Sequence, residues 1–374
     1  MLNRRIIRGK VMQQIFAYER CVAANSELTV DRIIAHFTPD LNAETPQDAK
    51  LLEGYAKLTI TEFNAYVKSK KITENTLPEP VMNFYLDSIA FYNTANKVDK
   101  NRILNKLIID TEALNLYTLS ILQLLIVLSE KLKTIKKDNA LINNSLIIKL
   151  IESEELQKEL LSKNLSWDDH EDVISDIILN LATDENYKNY KAEKTRDSQT
   201  DNQFVYSLVK NNFFKNAKFN DHFESIHLNW QEDKVAVKDI VIDTLKNLAE
   251  NPVFCLAPIS KNWTDDKSFL ETLFLKTIER NDELESYISP KLKNWDISRL
   301  TGTDSILMKQ CLLEMIQYPA IPVKVSINEY IDISKRYSTP KSKTIINGVL
   351  DAVSEELIKA GIIKKSGRGL IDNK

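Results

Sequence analysis

Val323 to Asp351 reads VKVSINEYIDISKRYSTPKSKTIINGVLD. Ile327, Tyr330 and Ile331 recur at helical spacing before a polar break. Ile345, Ile346, Val349, Leu350, Val353 and Leu357 recur after it on one helix face. The break holds Ser338, Thr339 and Pro340. Thr339 suits an N-cap, and Pro340 suits the first helical position, because proline has no N–H to leave unpaired. Lys335, Arg336, Lys341 and Lys343 crowd the same break. The pattern predicts helix, cationic corner, helix, and makes the corner a candidate contact for an anionic partner.

The neighbouring segments extend this helical reading. Thr301, Thr303 and Asp304 offer caps to a helix carrying Ile306, Leu307, Leu312, Leu313 and Ile316, which Pro319 and Pro322 end. Gly361 suits the C-terminal end of the last helix. Beyond it Lys364, Lys365 and Arg368, among glycines, predict a basic mobile tail over 361–374. Asn347-Gly348 falls inside the strong helical pattern, where glycine costs about 1 kcal/mol relative to alanine. Close approach of a second helix is the expected reason.

Composition narrows the function classes. The chain has 374 residues, 43% of them hydrophobic, so it can bury a sizeable core. Seven glycines argue against a turn-rich sheet protein and against glycine-rich phosphate loops. Cys21, Cys255 and Cys311 match no metal spacing and suit buried thiols in a reducing cytoplasm. Four histidines, none paired at a ligand spacing, leave little for zinc or histidine catalysis. No nucleophile elbow, H-E-x-x-H, Walker loop or Rossmann fingerprint occurs, so neither an enzyme nor a cofactor or metal is expected. The most apolar segment, Leu114 to Leu132, is interrupted by Asn115, Gln123, Glu130 and Lys131, and so predicts a buried helix and no membrane span.

The net charge of −3 conceals a partition. Residues 1–20 carry five basic and one acidic group, and residues 321–374 carry ten and six. Both ends are therefore cationic and the body is acidic, which would confine a polyanion to the ends. The first helix is predicted over about Asn3 to Cys21, with Ile7, Val11 and Ile15, together with Met12 and Phe16, on a broad apolar face. Arg4, Arg5 and Arg8 occupy its first turns, where they oppose the helix dipole. That placement suits phosphate, which guanidinium groups and free helix N–H groups can face together.

Five regions follow. Residues 1–23 hold the arginine-rich first helix, and 24–140 read as a helical body with Thr45-Pro46 as a cap signal and Pro78 and Pro80 ending a segment. Residues 141–268 read as two repeated helical units, about 141–203 and 204–268. Aligning Trp167, Trp230 and Trp295 places apolar residues at five matched positions upstream of each, such as Leu160, Phe223 and Ile288. The tryptophans are therefore expected to anchor the core. Residues 269–360 form a last bundle, followed by the tail.

Ile321-Pro322-Val323-Lys324-Val325-Ser326-Ile327-Asn328-Glu329, then Lys335 to Ser338, then Ile346 to Asp351 resemble the C-terminal signature of the NusB transcription antitermination family. Leu300 to Glu314 resembles that family's preceding helix, and Arg4, Arg5, Arg8 and Gln13 its arginine-rich first helix. The remainder looks like the enlarged Bacteroidetes-type version, with helices inserted after the first. The resemblance implies an all-α fold of packed helical bundles with inserted repeats, and a non-enzymatic cytoplasmic role. It implies binding of boxA-like single-stranded RNA in nascent ribosomal RNA with NusE, a small-subunit ribosomal protein. That binding takes place in an RNA polymerase complex with other Nus factors. By position it places RNA contacts at Arg4, Arg5, Arg8, Lys341, Ser342 and Ile345. Lys10, Gln13, Lys335, Arg336 and Lys343 complete the candidate surface. The family often has an acid where Lys341 stands, usually Phe where Ile345 stands, and commonly Glu where Gly9 stands. The alternative expectation is a helical protein–protein scaffold that works through its inserted helices and does not bind RNA.

Overall fold

The computed structural model describes residues 1–40, 42, 46–251, 253–292 and 301–373. The described residues are helical throughout, without a strand. The helices are α1 (Arg4–Phe37), α2 (Ala49–Ser69), α3 (Glu79–Glu112), α4 (Leu114–Lys136), α5 (Ser145–Glu152), α6 (Glu154–Ser162), α7 (Glu171–Thr183) and α8 (Glu185–Ala192). They continue with α9 (Ser198–Ser207), α10 (Ala217–Ile226), α11 (Trp230–Glu250), α12 (Trp263–Glu279), α13 (Asn281–Leu292), α14 (Gly302–Gln317), α15 (Val323–Tyr337) and α16 (Ser342–Lys359). A π-helical turn covers Leu208–Phe213, and a 3-10 segment covers Gly367–Asn373.

The chain divides into two compact units. The first holds Met1–Ile7 and Ile108–Phe269, and the second holds Arg8–Leu107 and Leu270–Lys374. The boundary at Leu107 falls within α3.

In the first unit α4 is the central helix, with Leu114, Leu119, Ile121, Leu122, Leu124, Leu125 and Leu128 all buried. Its apolar residues are spread around the helix, so α5, α6, α7 and α11 all pack against it. The combined helical run Glu79–Lys136 is long and apolar enough to cross a membrane, but 56% of its most apolar window is buried within the fold. The tryptophan register is buried in both units of the repeat: Leu160, Leu156, Leu150, Leu146 and Leu141, and Phe223, Phe219, Phe213, Val209 and Phe204. Trp167 donates its indole N–H to the Ser120 carbonyl at 2.8 Å, and Trp230 donates to Asn220 Oδ1 at 3.0 Å while stacking on Phe223. A buried indole needs such an acceptor, so both rings are fixed in the core rather than available to stack on bases. Trp295, the third member, lies outside the described residues.

In the second unit, α1 runs on to Phe37, well past the expected end near Cys21. Ile33 and Phe37 continue its apolar face and join Phe63, Tyr66, Tyr85, Ile89 and Tyr92 of α2 and α3 in one cluster. Asp48 caps α2 by accepting from the Lys50 and Leu51 N–H groups; Thr45 lies outside the described residues. Pro80 stands in the first turn of α3, which it opens rather than ending the segment before it. The rest of this unit packs α13, α14, α15 and α16 together, with α14 buried on nearly every side from Ile306 to Met315. The 361–374 segment expected to be mobile docks instead: Ser366 N–H reaches the Pro319 carbonyl at 3.1 Å, and Lys365 Nζ reaches the Tyr318 carbonyl at 3.1 Å. Gly369 packs so closely that a Cβ there would lie 2.0 Å from the Pro319 carbonyl oxygen. Among the cysteines Cys311 is buried, Cys21 half-buried and Cys255 exposed, so the expectation of three buried thiols holds for Cys311 alone.

Candidate RNA-binding corner

The corner between α15 and α16 is built around Asp304, in the first turn of α14. Thr301 and Asp304 form a capping box: the Thr301 hydroxyl accepts from the Asp304 N–H, and Asp304 accepts from the Thr301 N–H at 2.9 Å. The same carboxylate accepts from the hydroxyls of Ser338 and Ser342, the latter at 2.9 Å. Ser338 and Thr339 also bond Ser342 Oγ, each at 2.8 Å. A wholly buried carboxylate is tolerated because every bond it accepts comes from a hydroxyl or an N–H. One acid thus ties the start of α14, the end of α15 and the start of α16 into a rigid bend. Thr339 does not cap α16 as expected. Its hydroxyl goes to Ser342, and α16 begins two residues after Pro340 with no side-chain cap at Lys341.

The candidate residues divide by environment. Lys335, Arg336, Lys341 and Lys343 are exposed. Lys335 pairs with Asp332 at 2.7 Å, a surface contact worth at most about 1 kcal/mol. Ser342 and Ile345 are buried, Ser342 in the Asp304 network and Ile345 in the core. These two positions, expected to touch RNA directly, support the corner from beneath.

On the first helix, Arg8 is enclosed. Its Nε and Nη2 donate to Glu314 at 2.7 and 2.8 Å, and its Nη1 lies 3.4 Å from Glu329. Glu314 also accepts from Ser326 Oγ at 2.7 Å and the Tyr330 hydroxyl at 3.3 Å. Burial alone would depress the Arg8 guanidinium, but the hydrogen bonds and charge of Glu314 hold its proton more tightly than usual. Burial, then Glu314, push the Tyr330 hydroxyl well above its ordinary range. The sequence makes Arg8 a phosphate contact; the carboxylate of Glu314 draws it inside. Lys10 is buried as well.

Gln13 does reach the corner, donating to the Tyr337 hydroxyl at 3.2 Å. Arg4 and Arg5 belong to the first unit. There Arg4 pairs with Asp266 at 3.0 Å and stacks over the Phe269 ring at 4.7 Å, and Arg5 is exposed.

One residue that periodicity places on the apolar face of α1 joins the corner. Phe16 on α1 is 38% exposed, and its ring edge lies beside Gly302. On either side of Gly302, Thr301 bonds Ser338 at 3.2 Å and Thr303 bonds the Tyr337 carbonyl at 3.4 Å. The Arg20 guanidinium sits over the Phe16 ring at 5.2 Å. An exposed ring with an arginine above it offers the stacking surface that Ile345 cannot. Phe16 falls on the broad apolar face of α1, so its sequence signal is that of a core residue. Among the described residues no group of three His, Cys, Asp or Glu side chains could hold a metal ion.

The fold and this corner define an all-helical protein whose C-terminal bundle presents fixed surface cations beside an exposed aromatic ring. The model of the NusB family matches residues 243–355. The chain is similar to the Transcription antitermination protein NusB of Salinibacter ruber, 40% identical over 105 residues covering 28% of this chain and 66% of that protein. The protein of the same name from Chloroherpeton thalassium is 40% identical over 106 residues, 28% of this chain and 50% of its own length. That from Natranaerobius thermophilus is 30% identical over 128 residues, 34% of this chain and 82% of its own length. The chain thus spans half to two-thirds of the first two relatives. No solved structure gives a significant match. The chain belongs to the NusB family, as an enlarged member in which the matched part is about a third of the length.

Proposed function

We propose that the protein is a transcription antitermination factor that binds boxA-like single-stranded RNA of nascent ribosomal RNA transcripts at the α15–α16 corner. Its partners on this reading are a NusE-type ribosomal protein and, with other Nus factors, RNA polymerase. It works in the cytoplasm without a cofactor and without catalysis. The observation that carries the reading is the state of the corner cations. Arg336, Lys341 and Lys343 are exposed and, among the described residues, make no ion pair, while a buried hydroxyl–carboxylate network fixes the backbone beneath them. Fixed, unneutralised cations beside an aromatic ring suit single-stranded RNA, which is held through phosphates and stacked bases. The names of the relatives support the antitermination role.

A salt titration of boxA-like RNA binding tests it. Four corner cations give a log–log slope of about −3, since each phosphate neutralised on a single strand contributes about 0.7. Replacing Arg336, Lys341 and Lys343 together by alanine should flatten the slope to about −1 and weaken binding at low salt. Unchanged affinity and slope in that variant would refute the assignment. The scaffold alternative draws on the enclosure of Arg8, Lys10, Ser342 and Ile345, and it predicts no measurable RNA affinity in the unaltered protein.

A further inference from the structure

The second unit contains a cleft of about 560 Å³, a size typical of small-molecule sites. Helix α1 contributes Tyr18, Glu19 and Arg20, α3 contributes Tyr92 and Asn96, and α12 to α14 contribute the facing wall, including Asn281 and Lys309. Two walls of different origin meet here: α12 to α14 overlap the family-matched segment, while α3 belongs to the added helices. A shorter relative without those helices would lack half the cleft. Arg20 belongs both to this lining and to the platform over Phe16, so the cleft opens beside the corner.

The lining restricts what can enter. Lys309 is 7% exposed and already engaged, with Glu285 at 2.8 Å and Asn281 Oδ1 at 2.9 Å. Its charge is therefore cancelled inside the wall. Glu19 and Asp282 share the cleft lining with Arg20 and Lys70, and Glu279 pairs with Lys276 at 2.8 Å, so the lining holds no excess of positive charge to draw in a phosphate. A wholly apolar group would leave Asn96, Glu19 and Asn281 without water or partner, which is costly. Asn96 accepts from Asn25 through its Oδ1 at 3.0 Å, which directs its amide N–H₂ elsewhere. Tyr18 and Tyr92 supply aromatic wall, and the Tyr92 hydroxyl lies out of solvent beside Asn96. A neutral, planar, polar ring satisfies all these conditions. Burial raises the Glu19 carboxyl, with Lys309 and Arg20 opposing that rise. In either protonation state a carboxyl oxygen accepts from an exocyclic amino group, the pairing acids make with cytosine.

We propose that this cleft is a nucleobase pocket: one base of the RNA bound at the corner leaves the strand past Phe16 and inserts there, with amino-bearing bases preferred to uracil. The proposal rests on the RNA reading of the corner. It makes Glu19 the specificity-determining group and assigns the added α3 a role in holding the base, through the Asn96 N–H₂ donating to a ring acceptor. The corner holds the phosphates and the pocket reads one base.

The test uses the full chain and a boxA-like RNA carrying 2-aminopurine at each position in turn. A base withdrawn from its neighbours fluoresces more strongly, so one position should brighten several-fold on binding. Replacing the base at that position by its analogue without the amino group should weaken binding by about fivefold to tenfold, one buried hydrogen bond. Glu19→Leu, which removes the acceptor, should abolish most of that discrimination, and Asn96→Ala, which removes a donor, should weaken both bases alike, each leaving the salt slope unchanged. Unfolding curves of each variant beside the unaltered chain serve as the stability control. If RNA binds with the expected slope and no position brightens, the pocket is refuted and the corner stands. If no RNA binds, both readings fall. Mononucleotides tested alone by NMR separate the sources. Shifts at Asn96 and Tyr18 with a free nucleotide, without brightening in RNA, would show a free-nucleotide site and overturn the proposal.

Discussion

Removing Arg8 tests what the buried cation of the first helix does. Its guanidinium makes two hydrogen bonds of 2.7 and 2.8 Å to Glu314, a carboxylate with no solvent exposure. Arg8→Ala leaves that carboxylate buried beside only the hydroxyls of Ser326 and Tyr330, at 2.7 and 3.3 Å. Breaking one side of such a pair costs about 3–5 kcal/mol, a large part of the roughly 5–15 kcal/mol that holds a domain together. For a unit of this size the unfolding midpoint should fall by about 10 °C. Replacing both partners, Arg8→Met with Glu314→Met, removes the uncompensated charge and should recover stability to within about 2 kcal/mol of the original. The remainder is the loss of an acceptor for Ser326 and Tyr330. Thermal and urea unfolding measure the stability of the two variants. RNA binding then separates two roles for Arg8. If Arg8 only positions the first helix, the double variant should bind RNA within about twofold of the unaltered protein. A folded double variant as weak as the Arg336/Lys341/Lys343 variant would show that Arg8 reaches RNA itself and would refute the structural reading. An Arg8→Ala cost under about 1 kcal/mol would refute the energetic one.

Three further outcomes follow from the same geometry. Asp304→Ala removes the acceptor shared by the Thr301 N–H, Ser338 and Ser342, and should cost about 2–3 kcal/mol. Chemical denaturation would measure it, and a cost near zero would mean the corner is not held by this acid. Burial, then the charge of His170 whose ring lies 4.2 Å away, hold the His222 imidazole down at about 4, against a slight pull upward from Asp172. The unfolded chain therefore takes the proton first, so the contribution of this group is complete above about pH 6.5 and is lost as pH falls toward 4. The loss should be on the order of 2 kcal/mol after allowance for partial exposure, and His222→Gln should flatten it in unfolding curves taken across that range. Gly369→Val places a side chain against the Pro319 carbonyl and should release the docked tail, accelerating tryptic cleavage after Lys364, Lys365 and Arg368; an unchanged cleavage rate would show the docking to be immaterial.

Helices, the Thr301–Asp304 cap and the buried tryptophan register at Trp167 and Trp230 were legible in the sequence because each depends on residues a few positions apart. The apolar period of α14 to α16 and the motif order from Ile321 to Asp351 likewise determined the all-helical class and the family. Local spacing also marked the corner from Lys335 to Lys343 as cationic. What it could not determine was which cations face water. Arg8 and Lys335 look alike in one dimension, yet Arg8 is enclosed because Glu314 stands 306 residues away in the chain and beside it in space. The same limit applies to Ile345 and Phe16: the first resembles a surface contact by its motif position and lies in the core, while the second patterns as core and is exposed at the corner. The tail was read as loose from its glycines and charges, whereas its docking depends on a carbonyl at Pro319 that no composition reveals. The division of the chain at residues 7, 107 and 269, and the cleft beside the corner, arise only when distant helices pack. Periodicity and caps are local quantities and can be read along the chain. Burial, charge pairing and cavities are sums over neighbours in space, and only the tertiary structure supplies those neighbours.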